Sequence, residues 1–257
     1  MFLFDMHTLS QVVLVAVAGG IIGLDRTAAG QFMFSQPIVA GPFTGWMLGD
    51  ATAGFVIGAV LELVWVLDMP VGNFVPADST ISAVSATAIA ALAGPGGAPL
   101  DLIGFCLLLT TGMVPATMMI DNIVRKRNSR LADMAVASPG EDAGRRLARA
   151  HLSGLKAFFL KSFVLYLVFL PAGLAAAFLF ARMPEQFHRA MSLFVKLLPL
   201  LGVAMILRRL SMKMFDRLFL SGFVIAVIAG QLFHIHALFI ILLTAAAGWL
   251  GVMHRAR

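Results

Sequence analysis

Apolar residues run along this chain in blocks separated by short polar or Gly/Pro punctuation: 9–24, 36–49, 51–67, 79–94, 100–122, 155–181, 190–207, 218–232 and 235–253. A helix that crosses a bilayer needs about 20 predominantly apolar residues. The pattern therefore predicts an all-α, polytopic integral membrane protein of about eight or nine hydrophobic segments, several of them too short to cross alone. The shortest lie in the first half and are broken by Gly and Pro. They predict half-helices and re-entrant hairpins buried in protein, because lipid cannot satisfy a broken backbone. Transporters use such discontinuous segments to build binding sites near the membrane midplane.

Small residues sharpen this picture. Gly41, Gly45 and Gly49 recur at four-residue intervals, followed by Gly54 and Gly58, which predicts close helix approach, within the subunit or between subunits. Gly94-Pro95-Gly96-Gly97 with Pro99 predicts a loop between two apolar runs.

The only long polar stretch holds Arg125, Lys126, Arg127, Arg130, Arg145, Arg146, Arg149 and Lys156 against Asp133, Glu141 and Asp142. The excess of bases predicts a cytoplasmic loop. Ser138-Pro139-Gly140 interrupts it, and the flanks of that break predict short amphipathic surface helices. The organisation is a single transmembrane domain over 1–257, with an acidic, Gly/Pro-broken half (1–124), a basic cytoplasmic loop (125–155) and a C-terminal helical half (156–257). Arg208, Arg209, Lys213 and Arg217 belong on the cytoplasmic side by the same rule. These bases set topology, or they dock an acidic cytosolic partner.

Composition agrees. Sixty per cent of the 257 residues are apolar, 12% are charged, and the mean hydropathy is +0.93, which excludes an ordinary soluble domain. The net charge of +6 conceals two opposite halves. Residues 1–124 carry Arg26 alone against Asp5, Asp25, Asp50, Glu62, Asp68, Asp78, Asp101 and Asp121, a net of −7, and the remainder carries +13. The bases fall in short clusters between apolar runs, so they read as loops of a membrane protein and not as a nucleic-acid surface. Cys106 is the only thiol, which leaves no intramolecular disulfide and no cysteine-based metal site. Asp5 without any base in the first eight residues predicts a retained N-terminus and no cleaved signal peptide.

The chemistry is concentrated between Leu61 and Thr80. Glu62, Asp68, Asn73 and Asp78 interrupt a run that is otherwise apolar, with Trp65 beside them. A charged residue at the centre of a membrane helix costs about 2.5–3.5 kcal/mol even on the lenient insertion scale, so Glu62 is expensive unless it faces a polar cavity. Pro70, Gly72 and Pro76 predict an unwound strip. Carboxylates, an amide and an aromatic ring suit a ligand with many hydroxyls and one apolar face, as a sugar has; a sodium ion or proton is the rival occupant. Asp78, followed by Ser79-Thr80, is equally suited to cap a helix. Asp5, Asp25, Asp101 and Asp121 fall near predicted span ends and are expected to be solvated. No phosphate loop, zinc helix or nucleophile motif is present, so no catalytic residue, metal site or cofactor is expected.

Phe34-Ser35-Gln36-Pro37-Ile38, Leu48-Gly49-Asp50, Gly58-Ala59-Val60-Leu61-Glu62, Met69-Pro70-Val71-Gly72 and Val75-Pro76-Ala77-Asp78, with Leu201-Gly202-Val203-Ala204-Met205 and Ser221-Gly222-Phe223-Val224, resemble the membrane-embedded IIC component of the mannose/fructose/sorbose family of the bacterial phosphotransferase system (PTS). The resemblance implies a sugar permease subunit of the inner membrane, not itself an enzyme, that moves a hexose-like sugar. It implies a homologous IID membrane partner, cytosolic IIA and IIB phosphocarriers, and a trimer of IIC–IID pairs. By position, Glu62 and Asp78 match acids of the family's sugar-binding region. Two other readings of the same residues stand beside it: an ion-coupled secondary transporter, and a non-transporting membrane scaffold or sensor that docks phosphotransferase proteins.

Overall fold

The computed structural model describes residues 5–65, 75–137 and 143–210, and side chains of the last helix as far as Met205. Those residues form eight helices: α1 (Met6–Asp25), α2 (Pro37–Leu48), α3 (Ala51–Trp65), α4 (Ser79–Ala93), α5 (Leu100–Gly112), α6 (Val114–Ala137), α7 (Ala143–Phe180) and α8 (Glu185–Leu210). No strand occurs among them. The chain up to Met205 is one compact unit, and a second begins at Ile206.

Among the described residues, fewer helices are long enough to cross a membrane than the eight or nine hydrophobic segments expected. Three helices among those residues are long and apolar enough to cross a membrane: α1, α7 and the Glu185–Met205 part of α8. Helices α5 and α6, bent by 41° at Met113, are together long and apolar enough for a broken span or a re-entrant loop. The segment expected at 100–122 is thus two helices, broken where Pro115 lacks an amide proton to bond back into the preceding turn. The expected count of eight or nine took each apolar block as one segment; the two blocks at 218–232 and 235–253 lie outside the described residues. The 125–155 stretch is also not a loop with short helices on it. Residues 125–137 continue α6 and residues 143–155 begin α7, so the bases ride on two long helices.

At about 1.5 Å per residue, α2 and α3 are only about 18 and 22 Å long, short of the roughly 30 Å apolar thickness of a bilayer. They form a hairpin turned by Gly49, whose φ of 84° closes α2 in a left-handed cap, a conformation that costs glycine nothing. The two helices pack through their small residues. A Cβ on Gly41 would lie 2.6 Å from the Gly54 carbonyl oxygen, and one on Gly54 would strike the Gly41 carbonyl. The glycine stripe makes an intrachain contact, a point that its spacing alone left open.

Helix α4 sits at the centre, buried on every side from Thr80 to Ala91. It is held by α7, where Gly173 admits the Ile89 side chain, and by α1, α2, α3 and α5. Helices α1 and α7 run antiparallel: Gly23 meets Ser162, and Gly19 meets the ring of Tyr166. The end away from the basic helices therefore gathers the start of α1, the α4–α5 turn, the end of α7 and the start of α8 around one cavity, lined in part by Asp5, Pro99, Asp101, Phe178 and His188.

Candidate functional site

The site is built at the open ends of the short hairpins. Pro37 occupies the first turn of α2, and the capping residue Gln36 offers its helix no side-chain bond. The missing acceptor comes from α3: Glu62 Oε2 accepts from the Ile38 amide at 3.2 Å. A carboxylate is favoured there by the positive end of the helix dipole. Glu62 is half-buried, and among the described residues it has no cation partner. Trp65, one turn further on, is half-buried against the core. Asp68 and Asn73 lie outside the described residues.

Asp78 serves both of the roles open to a buried carboxylate near a helix start. Its Oδ1 accepts from the Ile81 amide at 3.2 Å, capping α4, and lies 2.9 Å from an Arg26 guanidinium nitrogen. Its Oδ2 lies 2.9 Å from Lys161 Nζ on α7. Both oxygens are therefore engaged, and the residue is 4% exposed. Arg26 also donates to the Pro76 carbonyl at 3.2 Å and to the Ala77 carbonyl, so it grips the backbone entering α4.

Lys161 continues the chain of charges. Its second partner is Asp121 Oδ1, at 2.9 Å, and Asp121 Oδ2 accepts from Arg125 Nε at 2.6 Å. Charges alternate in sign from Arg26 through Asp78, Lys161 and Asp121 to Arg125, linking the end of α1 and the start of α4 to the interiors of α7 and α6. Lys161 and Asp121 are almost wholly buried, which is tolerable only because each is paired twice. The sequence reading missed Arg26, Lys161 and Asp121 as site residues. Lys161 carried a signal as a base inside the apolar block 155–181, as did Asp121 inside the block 100–122 and Arg26 as the one Lys or Arg of the acidic half.

The acids expected to be solvated divide. Asp5 is exposed and caps α1 through the Thr8 amide at 2.8 Å; the Thr8 side chain first, and that amide second, hold its carboxyl below the usual range. Asp101 pairs with His188 at 2.5 Å. Asp121 is buried in the ion-pair chain, and Asp25 is buried too. Asp25 accepts from the amides of Phe32 (2.6 Å) and Ser35 (3.1 Å), shaping a loop in which Gln31 and Met33 take positive φ. Nearness to a span end in sequence did not mean exposure, because the chain folds back over these ends. Asp50 is buried as well. It caps α3 through Ala53 (2.9 Å) and accepts from the Ala98 amide (2.8 Å), tying the turns of the two hairpins together.

One further bond joins the two halves of the site. Thr80 Oγ1 donates to the Ser35 carbonyl at 2.7 Å, with both residues buried. The start of α4, fixed by Asp78, is thereby tied to the corner that leads into α2, where Glu62 is held. Glu62 and Asp78 thus flank one corner, 35–38, but they reach it through different bonds.

Comparison with known proteins bears on this arrangement. A family model described as PTS system sorbose-specific IIC component matches residues 9–248. The mannose-specific EIIC component of Escherichia coli strain K12 is 30% identical over 118 residues, which is 46% of this chain and 42% of that protein. The putative N-acetylgalactosamine permease IIC component 2 of the same strain is 33% identical over 87 residues, 34% of this chain and 65% of that one. Among solved structures, one described as a membrane protein aligns with a TM-score of 0.71 at 19% identity, covering 99% of this chain and 97% of that chain. A complex of the mannose transporter ManYZ with microcin E492 aligns at 0.50 and 20% identity, covering 99% and 96%. At such identities these two structures speak for the fold alone. The matched region of this chain covers less than half the length of its mannose-specific relative.

Proposed function

Because the chain belongs to the family of PTS sorbose-specific IIC components and is a multi-pass inner-membrane protein, we propose that it is the sugar-translocating IIC subunit of a mannose-class phosphotransferase system. In this reading it moves a hexose-like sugar across the inner membrane in step with phosphorylation by IIB, pairs with a IID membrane subunit, and assembles as a trimer of IIC–IID pairs. The phosphoryl chemistry belongs to IIA and IIB, and this chain is a permease and not an enzyme.

The observation that carries the reading is Glu62. A half-buried carboxylate on a hairpin too short to cross the membrane, without a cation among the described residues, keeps acceptor capacity for hydroxyl donors. A single amide bond at Ile38 leaves most of its lone pairs unused. Trp65 offers an apolar face beside it, and Asp68 and Asn73 on the strip between Trp65 and Asp78 complete the proposed sugar contacts. Asp78 borders the site with both oxygens already committed.

The test is uptake and phosphorylation of D-mannose, L-sorbose and N-acetyl-D-galactosamine by vesicles that contain this chain, its IID partner and the soluble phosphotransferase proteins. We expect at least one sugar to accumulate as its phosphate, and only with the phosphoryl donor present. Accumulation that follows an imposed ion gradient without the donor would establish an ion-coupled transporter instead. Capture of IIB with no sugar bound would establish a scaffold.

A further inference from the structure

Lys161 is a base with 5% of its side chain exposed, on a helix long enough to span the membrane, and neutralising two carboxylates does not by itself require it to stand where it does. Its position matters because of what hangs from it. Lys161 fixes Asp78 Oδ2, and Asp78 caps α4 at Ile81. Two residues after Asp78, Thr80 donates to the Ser35 carbonyl, while Asp25, next in sequence to Arg26, receives the Ser35 amide. Ser35 is thus held at both its carbonyl and its amide. Three residues later Ile38 presents the amide on which Glu62 rests.

These contacts form a continuous train from α7 to the carboxylate of α3, with Arg26 and Asp25 closing a ring on its near side. The links are the polar bonds Lys161–Asp78, Thr80–Ser35 and Ile38–Glu62, joined by the two short backbone stretches 78–80 and 35–38; the first two bonds lie between buried groups and the last is exposed, so a displacement at Lys161 has a short path to Glu62. The train also reconciles two facts. Asp78 lies in the strip that looks like a sugar site, yet both its oxygens are occupied by the protein.

We propose that Lys161 is a positioning residue for sugar translocation, acting through Asp78, Thr80 and Ser35 to set the α2 start against which Glu62 is held. The proposal rests on the permease reading above. Asp78 belongs to the support of the site, and Glu62 to its face.

A merely structural role predicts that charge balance is all that matters, so the experiment separates balance from position. Lys161→Met leaves Asp78 and Asp121 facing each other without the base between them. Asp121→Asn combined with Lys161→Met restores the net charge of the chain and leaves Asp78 with Arg26. Lys161→Arg keeps the charge and supplies donors. Thr80→Val keeps the shape and removes only the bond to Ser35. Each variant is purified with its IID partner, its thermal unfolding is recorded, and KM and maximal rate of uptake are measured for whichever of the three sugars the wild-type complex transports.

We expect Lys161→Met to unfold at lower temperature and the double variant to regain most of that loss. The double variant and Thr80→Val should nonetheless lose on the order of tenfold or more in kcat/KM, chiefly through KM, while Lys161→Arg stays close to wild type. Wild-type KM and rate in a double variant of wild-type stability would show that Lys161 only balances charge, and would overturn the proposal. If the double variant fails to regain stability, Thr80→Val decides in the same way, since wild-type kinetics there break the train. A wild-type complex that transports no sugar removes the permease reading itself, an outcome distinct from active variants.

Discussion

Asp50 offers the sharpest measure of how the two short hairpins hold one another. Its Oδ1 caps α3 through Ala53, and its Oδ2 accepts from Ala98 in the α4–α5 turn, 48 residues away. Asp50→Ala removes both bonds. Loss of an N-cap costs about 0.5–2 kcal/mol, and leaving the partly buried Ala98 amide without an acceptor costs about 1–3 kcal/mol. Asp50 has no cation partner among the described residues, so deleting it also relieves some cost of burying its charge, which holds the total to about 2–3 kcal/mol. For a chain of this length that corresponds to a fall of about 4–12 °C in melting temperature. Asp50→Asn keeps an oxygen for Ala53 but turns an amino group toward the Ala98 donor, so about half the loss is expected. Thermal unfolding of the purified protein in nanodiscs ranks the variants, and hydrogen exchange at Ala98 reports the second bond directly. An unchanged melting temperature for Asp50→Ala, or full Ala98 protection in either variant, would refute the assignment of Asp50 as the tie between the hairpins.

Other outcomes follow from the same geometry. Glu62→Gln is expected to raise the KM for sugar uptake by on the order of tenfold while the melting temperature changes little, because the amide oxygen can still accept from Ile38; unchanged uptake of every transported sugar would remove Glu62 from the site. Gly54→Val should lower stability by about 1–3 kcal/mol or more, since its side chain meets the Gly41 carbonyl, which is backbone and cannot swing away; thermal unfolding measures the loss. At the exposed start of α1, the Thr8 side chain and then its amide hold the Asp5 carboxyl below its ordinary value, so the cap persists at neutral pH and is lost as pH falls through that lowered value. Amide exchange in the first turn of α1, at residues such as Thr8, should accelerate there, and Asp5→Ala should abolish that pH step.

Much of the site was legible from the chain alone where the physics is local. The Asp78-Ser79-Thr80 start of a buried helix, the glycine stripe of α2 and α3 and the expense of Glu62 all depend on residues within a turn or two of one another. The Gly- and Pro-punctuated blocks of the first half also read correctly as short helices. Length judgements were less secure: the block at 100–122 contains a bend at Met113, and the basic stretch continues two helices, because charge and helix formation are compatible outside the apolar layer.

What only the tertiary structure decided is where each charge finds its opposite. Asp121 and Lys161 are 40 residues apart, and Lys161 and Asp78 are 83 apart. Hydropathy placed Asp25 and Asp121 near span ends, and so in water, whereas folding put the Phe32–Ser35 loop on one and α7 beside the other. The sequence by itself determined that this protein is helical, lies in a membrane and carries acids that must be accounted for, because apolar length and the cost of burying charge act residue by residue. Which acids are tied down and which remains open to a ligand depends on the packing of α1 and α7 on α4 and of α6 on α7, since an ion pair forms only where the fold brings both partners within about 4 Å.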